Sequence, residues 1–176
     1  MQQETLPLTV GESPLDEARP VSGSRQTMTH LASPIDVNLR GSVFGGVILA
    51  LVDKIAYVCA TRHADCPTVT ASFDQVDFRA PIDIGEIVTL QASVNYVGRT
   101  SLEIGVRVTA ESVTGGAPRH TNSCYVTMVA LDEGGKPQPV PKLIIEDEVQ
   151  LRRYQDALER RKARLSLAEE RRKRRR

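Results

Sequence analysis

Apolar residues recur along this chain with two different periods. From Glu86 to Val97 the run E-I-V-T-L-Q-A-S-V-N-Y-V places Val88, Leu90, Ala92, Val94 and Tyr96 at every second position. Ser101–Ser112 repeats the pattern in Leu102, Ile104, Val106 and Val108. Alternation of this kind marks strands with one face on a core. Thr68–Phe78 and Arg119–Leu131 are rich in β-branched and aromatic residues and read as two further strands. Gly98-Arg99-Thr100 and Thr114-Gly115-Gly116 supply turns for an antiparallel meander.

Val43–Ala60 is different. It is apolar on every side, and its only charged residues are Asp53 and Lys54. A helix hydrophobic all round is a buried one, so the pattern predicts a buried helix over about Gly46 to Arg62, closed by Cys66-Pro67. A short extended segment at Gln26–Leu31 and a polar turn through Ser33–Asn38 precede it. From Ile144 onward Leu151, Tyr154, Leu158 and Leu165 follow a heptad-like spacing within a charged sequence, which predicts an amphipathic helix. The closing R-R-K-R-R-R is expected to be disordered.

One short strand, one apolar helix and a meander make an α+β pattern. A curved sheet has to wrap the helix, and whatever the sheet leaves open needs a second subunit, so an oligomer is expected. The expected organisation is a flexible leader over residues 1–22, one domain over 23–142, and a charged helix with a basic tail over 143–176. Truncation after about Lys142 is expected to leave the core chemistry largely intact.

Length and composition narrow the class. The chain has 176 residues, 40% of them hydrophobic, and a formal net charge of +1. That charge is unevenly spread: residues 160–176 hold ten Lys/Arg against two Glu, a net +8, which leaves −7 for the remainder. Without interleaved aromatics the tail offers nucleic acid only salt-sensitive, non-specific attraction, so no specific nucleic-acid partner is expected. A solvated end, or a patch for a ligand's phosphates or an acidic partner surface, remain as its readings. Asp53 and Lys54 in mid-helix would each cost about 2.5–3.5 kcal/mol in a bilayer, which argues against a membrane span. The start, M-Q-Q-E-T-L-P-L, has neither the basic nor the apolar region of a secretory signal. Three cysteines, Cys59, Cys66 and Cys124, suggest free thiols and a reducing, cytoplasmic setting. Cys59, His63 and Cys66 lack a convincing fourth ligand, and no metal site is expected.

The candidate chemistry lies in N-L-R-G-S-V-F-G-G-V-I-L-A-L-V-D, Asn38 to Asp53. A carboxylate inside an apolar helix is costly unless paired or used. The Gly45-Gly46 pair falls where the helix begins, and the unpaired N–H groups there suit a developing oxyanion. Together with the Asn38 amide these features suggest acyl chemistry. Each has a plainer reading: Asp53 as a structural ion-pair partner, Asn38 as a turn residue, the glycines as a close packing contact, Phe44 as core.

Four ordered blocks carry a resemblance. N-x-x-G-x-x-F-G-G-x-x-L-x-x-x-D, V-T-A-S-F-D-Q-V-D-F-R-A-P-I-D-I-G-E, V-G-R-T-S-L-E-I and G-K-P-Q-P-V-P span about Leu31–Pro141. They resemble the hotdog-fold acyl-CoA thioesterases, in particular the YciA and cytosolic long-chain acyl-CoA hydrolase branch. The resemblance implies a long central helix wrapped by a curved antiparallel sheet, and hydrolysis of acyl-CoA to free fatty acid and coenzyme A. It implies Asp53 as general base or nucleophile and Asn38 of the opposite protomer facing it. The Gly45-Gly46 amide would polarise the thioester carbonyl, with Gly46 in the catalytic set. Phe44, Gly45, Gly98, Arg99, Thr100 and Ser101 would contact substrate, the last four near the nucleotide half of coenzyme A. It also implies a dimer, commonly assembled as a trimer of dimers, and no cofactor beyond the coenzyme A of the substrate. A non-catalytic acyl-CoA sensor on the same scaffold is the alternative from another class. A hydratase would want a catalytic His or Glu on the helix, where only His63 stands, at the far end.

Overall fold

The computed structural model describes residues 6–174. In chain order its elements are β1 (Leu8–Val10), β2 (Ala18–Pro20), α1 (Val21–Ser24), β3 (Gln26–Leu31), a 3-10 turn (Pro34–Asp36) and α2 (Gly45–Ala64). These are followed by β4 (Thr68–Phe73), β5 (Glu86–Val97), β6 (Ser101–Ser112), β7 (Arg119–Ala130), β8 (Lys142–Ile145) and α3 (Glu148–Arg174). Five strands form one antiparallel sheet in the order β3-β5-β6-β7-β4, so the meander expected from the alternation is its centre. Ser93 faces Gly105 and Gly105 faces Tyr125 across the three longest strands.

The central helix packs on one face of this sheet through Ile48, Val52, Ile55, Ala56, Cys59 and Ala60, all buried. Their spacing is the stripe of an amphipathic helix. The sheet therefore covers one side of α2, not all of it, and the expectation of a helix buried all round is corrected. Tyr57 and Val58 are 46% and 39% exposed, Lys54 is exposed and Asp53 is half-buried. The sequence reads as fully buried because the apolar residues of the open side are there too, with nothing over them among the described residues.

The N-terminal segment departs from the expected flexible leader. Within described residues 6–22, β1 and β2 flank β8 in a second, three-stranded sheet. Residues 1–5 lie outside the described residues. Arg19 reaches from β2 to the C-terminal end of α2, donating to the carbonyl of His63 at 3.1 Å and pairing with Asp65 at 3.4 Å. A cation at that pole complements the unpaired carbonyls of the last turn.

The charged C-terminal helix forms as expected, and it docks on the sheet face opposite α2. Glu103, 1% exposed, is held there by Arg160 at 2.7 Å and Arg164 at 3.0 Å, and Arg164 also reaches Asp74 at 2.5 Å. Tyr154 stacks on Tyr96, and the Arg160 guanidinium lies over the Tyr125 ring. Chain from Lys142 onward thus supplies both β8 and the counter-ions of a buried carboxylate. The helix continues through Arg174 where a disordered end was expected; Arg175 and Arg176 lie outside the described residues. Among the described residues, no helix is long and apolar enough to cross a membrane.

Candidate active site

The residues singled out from the sequence fall into two groups, set by the length of α2. The first group gathers at its N-terminus. Phe44 is the cap residue, with an extended backbone, and Gly45 and Gly46 open the helix. Their N–H groups precede the first intrahelical acceptor and are available to an anionic oxygen. A side chain at either glycine would displace a neighbouring ring. A Cβ on Gly45 would sit 3.2 Å from the Phe78 ring, and one on Gly46 would collide with the Phe44 ring folded back over the helix start.

Asn38 belongs to the same end. Its loop is a small hairpin: Val37 bridges Val43, the Asn38 N–H donates to Ser42 O at 2.8 Å, and Gly41 turns the chain with φ +84°. The Asn38 side chain donates from Nδ2 to Ser42 Oγ at 3.0 Å and accepts from the Arg40 N–H at 2.8 Å. One amide hydrogen and one carbonyl lone pair are left over. Asn38, Gly45, Ile48 and Phe78 line an open cleft of about 300 Å³.

Asp53 stands two turns further along α2, half-buried, on the side facing the edge strand β4. There the Thr70 hydroxyl donates to Asp53 Oδ1 at 2.5 Å, and the same hydroxyl lies 3.4 Å from Met128 Sδ. The β4–β7 register shifts between Thr70 and Ser72. Irregularities of this kind re-aim a side chain. Thr70 was not singled out from the sequence. It sits in the quoted V-T-A-S-F block, where a β-branched residue reads only as strand.

Gly98, Arg99, Thr100 and Ser101 make the β5–β6 turn as expected, closed by the Gly98 N–H on Ser101 O at 2.8 Å. Leu102, next to that turn, and Thr70 both face Met128, from opposite sides of β7. Two strand spacings, about 10 Å, separate them. The turn therefore lies two strands across the sheet from Thr70, while Phe44, Gly45, Gly46 and Asn38 lie at the start of α2. Seven helical residues put about 10 Å between Gly46 and Asp53. A single chain does not bring Asn38 and Asp53 together.

The Cys59–His63–Cys66 grouping has another use. His63 is 1% exposed and hydrogen-bonds Pro141 O through Nε2 at 3.1 Å, and burial lowers its pKa. Burial pushes the Cys59 thiol up to about 12. These are core positions.

Comparisons with known proteins identify the fold and family. A model of the thioesterase superfamily matches residues 40–117. The protein VdlD of Helicobacter pylori is 47% identical over 137 residues, 78% of each chain. The uncharacterized acyl-CoA thioester hydrolase YkhA of Bacillus subtilis is 37% identical over 82% of this chain and 84% of its own. Among solved structures, an apo-hexameric acyl-CoA thioesterase superposes with a TM-score of 0.83 at 40% identity, covering 86% of this chain and 97% of its own. An acyl-CoA hydrolase of Staphylococcus aureus, solved with butyryl coenzyme A, coenzyme A and coenzyme A disulfide, superposes at 0.80 and 36% identity, covering 87% and 95%. Three further structures of that enzyme carry alanine in place of an asparagine, an aspartate and a threonine. The replaced positions are spaced along that chain as Asn38, Asp53 and Thr70 are here.

Proposed function

This chain belongs to the thioesterase superfamily and has its hotdog fold, and we propose that it hydrolyses acyl-CoA to free fatty acid and coenzyme A. The observation that carries the reading is the hydrogen bond from Thr70 to Asp53. It fixes a half-buried carboxylate by one oxygen, on a stretch of helix whose one other charge is Lys54, and leaves Oδ2 for chemistry.

The proposed site is shared between two protomers. About 10 Å of helix separates the Gly46 amide from Asp53 of the same chain, too far for both to touch one thioester carbonyl. In a dimer, Asn38 and the Gly45–Gly46 amides of one protomer would face Asp53 and Thr70 of the other. The open side of α2, with Tyr57 and Val58 exposed, supports such pairing, and hexameric relatives support a trimer of dimers.

As general base, Asp53 takes a proton from water while the water oxygen bonds to the carbonyl carbon. The carbonyl electron pair moves onto oxygen, where the Gly46 N–H and the Asn38 amide stabilise it. Collapse breaks the C–S bond, and the departing thiolate takes the proton back from Asp53, giving the acid and coenzyme A. As nucleophile, an Asp53 carboxylate oxygen would bond to the carbonyl carbon and the C–S bond would break, leaving a mixed anhydride and coenzyme A thiolate. Water would then add to the anhydride, releasing the acid, regenerating the Asp53 carboxylate and giving its other proton to the thiolate. Phe44 would flank the acyl group, and Gly98, Arg99, Thr100 and Ser101 the nucleotide half. Neither route draws on a cofactor beyond the substrate's own coenzyme A.

The test is thiol release from short-, medium- and long-chain acyl-CoAs by the wild type and by Asp53→Asn. Turnover lost in the variant, with fold and oligomer intact, is expected. Equal turnover by both would refute the assignment of Asp53, and tight binding without turnover by the wild type would favour the sensor.

A further inference from the structure

The loop that carries Asn38 has no strand of the main sheet to hold it, yet its conformation is tightly specified. It is held from two sides: on one, the Val43 N–H donates to Ile82 O at 2.8 Å and Ser42 bridges Asp83, and on the other the contacts converge on one carboxylate. Asp36, 6% exposed, ends the 3-10 turn before the loop. Its Oδ2 accepts three hydrogen bonds: from the Ser33 N–H at 2.8 Å, from the Ser33 hydroxyl at 2.7 Å, and from His30 Nε2 at 2.9 Å. The Asp36 main-chain carbonyl accepts from the Phe44 N–H at 2.7 Å. One residue thereby ties together strand β3 through His30, the entry to the loop through Ser33, and the cap residue of α2. The Val37–Val43 hairpin bearing Asn38 hangs between the two ends of that tie.

We infer that Asp36 is a positioning residue for hydrolysis, whose carboxylate sets the Val37–Val43 hairpin so that the Asn38 amide meets the thioester. The inference rests on the proposed role of Asn38. The donors around Oδ2 favour the charged form: the Ser33 amide and hydroxyl, then His30, hold this carboxyl below its usual range. Hydrogen bonds to an ionised acceptor are about twice as strong as neutral ones. An asparagine in its place keeps the shape but removes the charge, and any rotamer that turns its NH2 toward Ser33 sets donor against donor. The hairpin would then lose its carboxylate anchor on the β3 side, where Asn38 leaves Asp36, while the main-chain bonds from Phe44 to Asp36 and from Val43 to Ile82 remained.

The experiment is a kinetic cycle on the full-length protein with Asp36→Asn, Asn38→Ala and the double variant, followed by thiol release. Misplacement of a reacting group by about 1 Å costs on the order of 100-fold. Asp36→Asn is therefore expected to lower kcat by about 10- to 100-fold with KM unchanged, and to add nothing once Asn38 is alanine. Wild-type kcat in Asp36→Asn, a loss carried by KM, or a full additive loss in the double variant would each overturn it. Should Asp36→Asn fail to fold, Ser33→Ala removes one donor from the same oxygen. It is expected to give a partial kcat loss that vanishes in the Asn38→Ala background, and an undiminished kcat would overturn the inference. If Asn38→Ala alone turns over normally, the reading of Asn38 fails instead.

Discussion

Thr70 and Asp53 meet hydroxyl to carboxylate, Oγ1 to Oδ1 at 2.5 Å, across the join between an edge strand and the central helix. The bond does two things at once. It offsets part of the cost of keeping an ionised group half-buried, and it locks the carboxylate plane, so that the second oxygen has one direction in which to act.

Replacing Thr70 with valine keeps shape and β-propensity but removes the donor. We expect kcat for acyl-CoA hydrolysis to fall by about 10- to 100-fold, the scale of a misaligned catalytic group, with KM little changed and Thr70→Ser restoring most of it. Steady-state thiol release checks this. Unchanged kcat in the valine variant would detach Thr70 from the chemistry.

Much of this fold is legible in the chain because it is written in local periods. Gln26–Leu31, Glu86–Val97 and Ser101–Ser112 are strands over the residues that pattern and turn signals delimit. Gly45, Gly46 and Asp53 stand out as candidates too, since glycines at a helix start and an acid in an apolar helix break a local rule, whereas Asn38 alone reads as a turn residue and becomes a candidate through the resemblance. What escapes is long-range. The strands Leu8–Val10 and Ala18–Pro20 are three residues each, without periodicity, and exist only by pairing with Lys142–Ile145. Thr70 has the side chain any strand prefers, and its register against Asp53 is a tertiary fact. The same holds for Glu103, which alternation cannot distinguish from an exposed charge until α3 is laid across it.

A site shared between protomers makes a stoichiometric prediction. Mixing Asn38→Ala and Asp53→Ala protomers gives heterodimers with one intact Asn38/Asp53 pair and one doubly damaged pair. With random exchange in an isologous dimer, activity should return to about a quarter of the wild-type value, from two parents that are nearly inactive. Unfolding, remixing and assaying the pool measures it. No recovery in oligomers verified as mixed would argue against sharing.

The docking of α3 predicts a stability effect at its counter-ions. Glu103 is almost fully buried and depends on Arg160 and Arg164. Removing the partners of a buried charge costs several kcal/mol, whereas neutralising the charge itself costs less. The double variant Arg160→Ala/Arg164→Ala should lose about 3 kcal/mol in urea unfolding, and Glu103→Gln clearly less. Equal losses would mean that α3 is held by its stem packing on Tyr96 and Tyr125 and not by its charges.

His63 gives a prediction in pH. Burial holds its imidazole below the ordinary value, and Nδ1 has no hydrogen-bond partner in the core, so an added proton there would meet no acceptor. The neutral ring is the native form. The unfolded chain takes up a proton near pH 6.5, the ordinary histidine value, while the folded chain does so only at lower pH. The contribution is therefore complete above about pH 6.5 and is lost as pH falls from there through the folded value. A glutamine at this position can still donate to Pro141 O but does not titrate. Tm measured from about pH 8 down to about pH 5 should fall more steeply for the wild type than for His63→Gln, whose constant packing loss shifts its curve without tilting it. Parallel curves over that range would mean that His63 titrates alike in the folded and unfolded chain, and so that the core admits its proton.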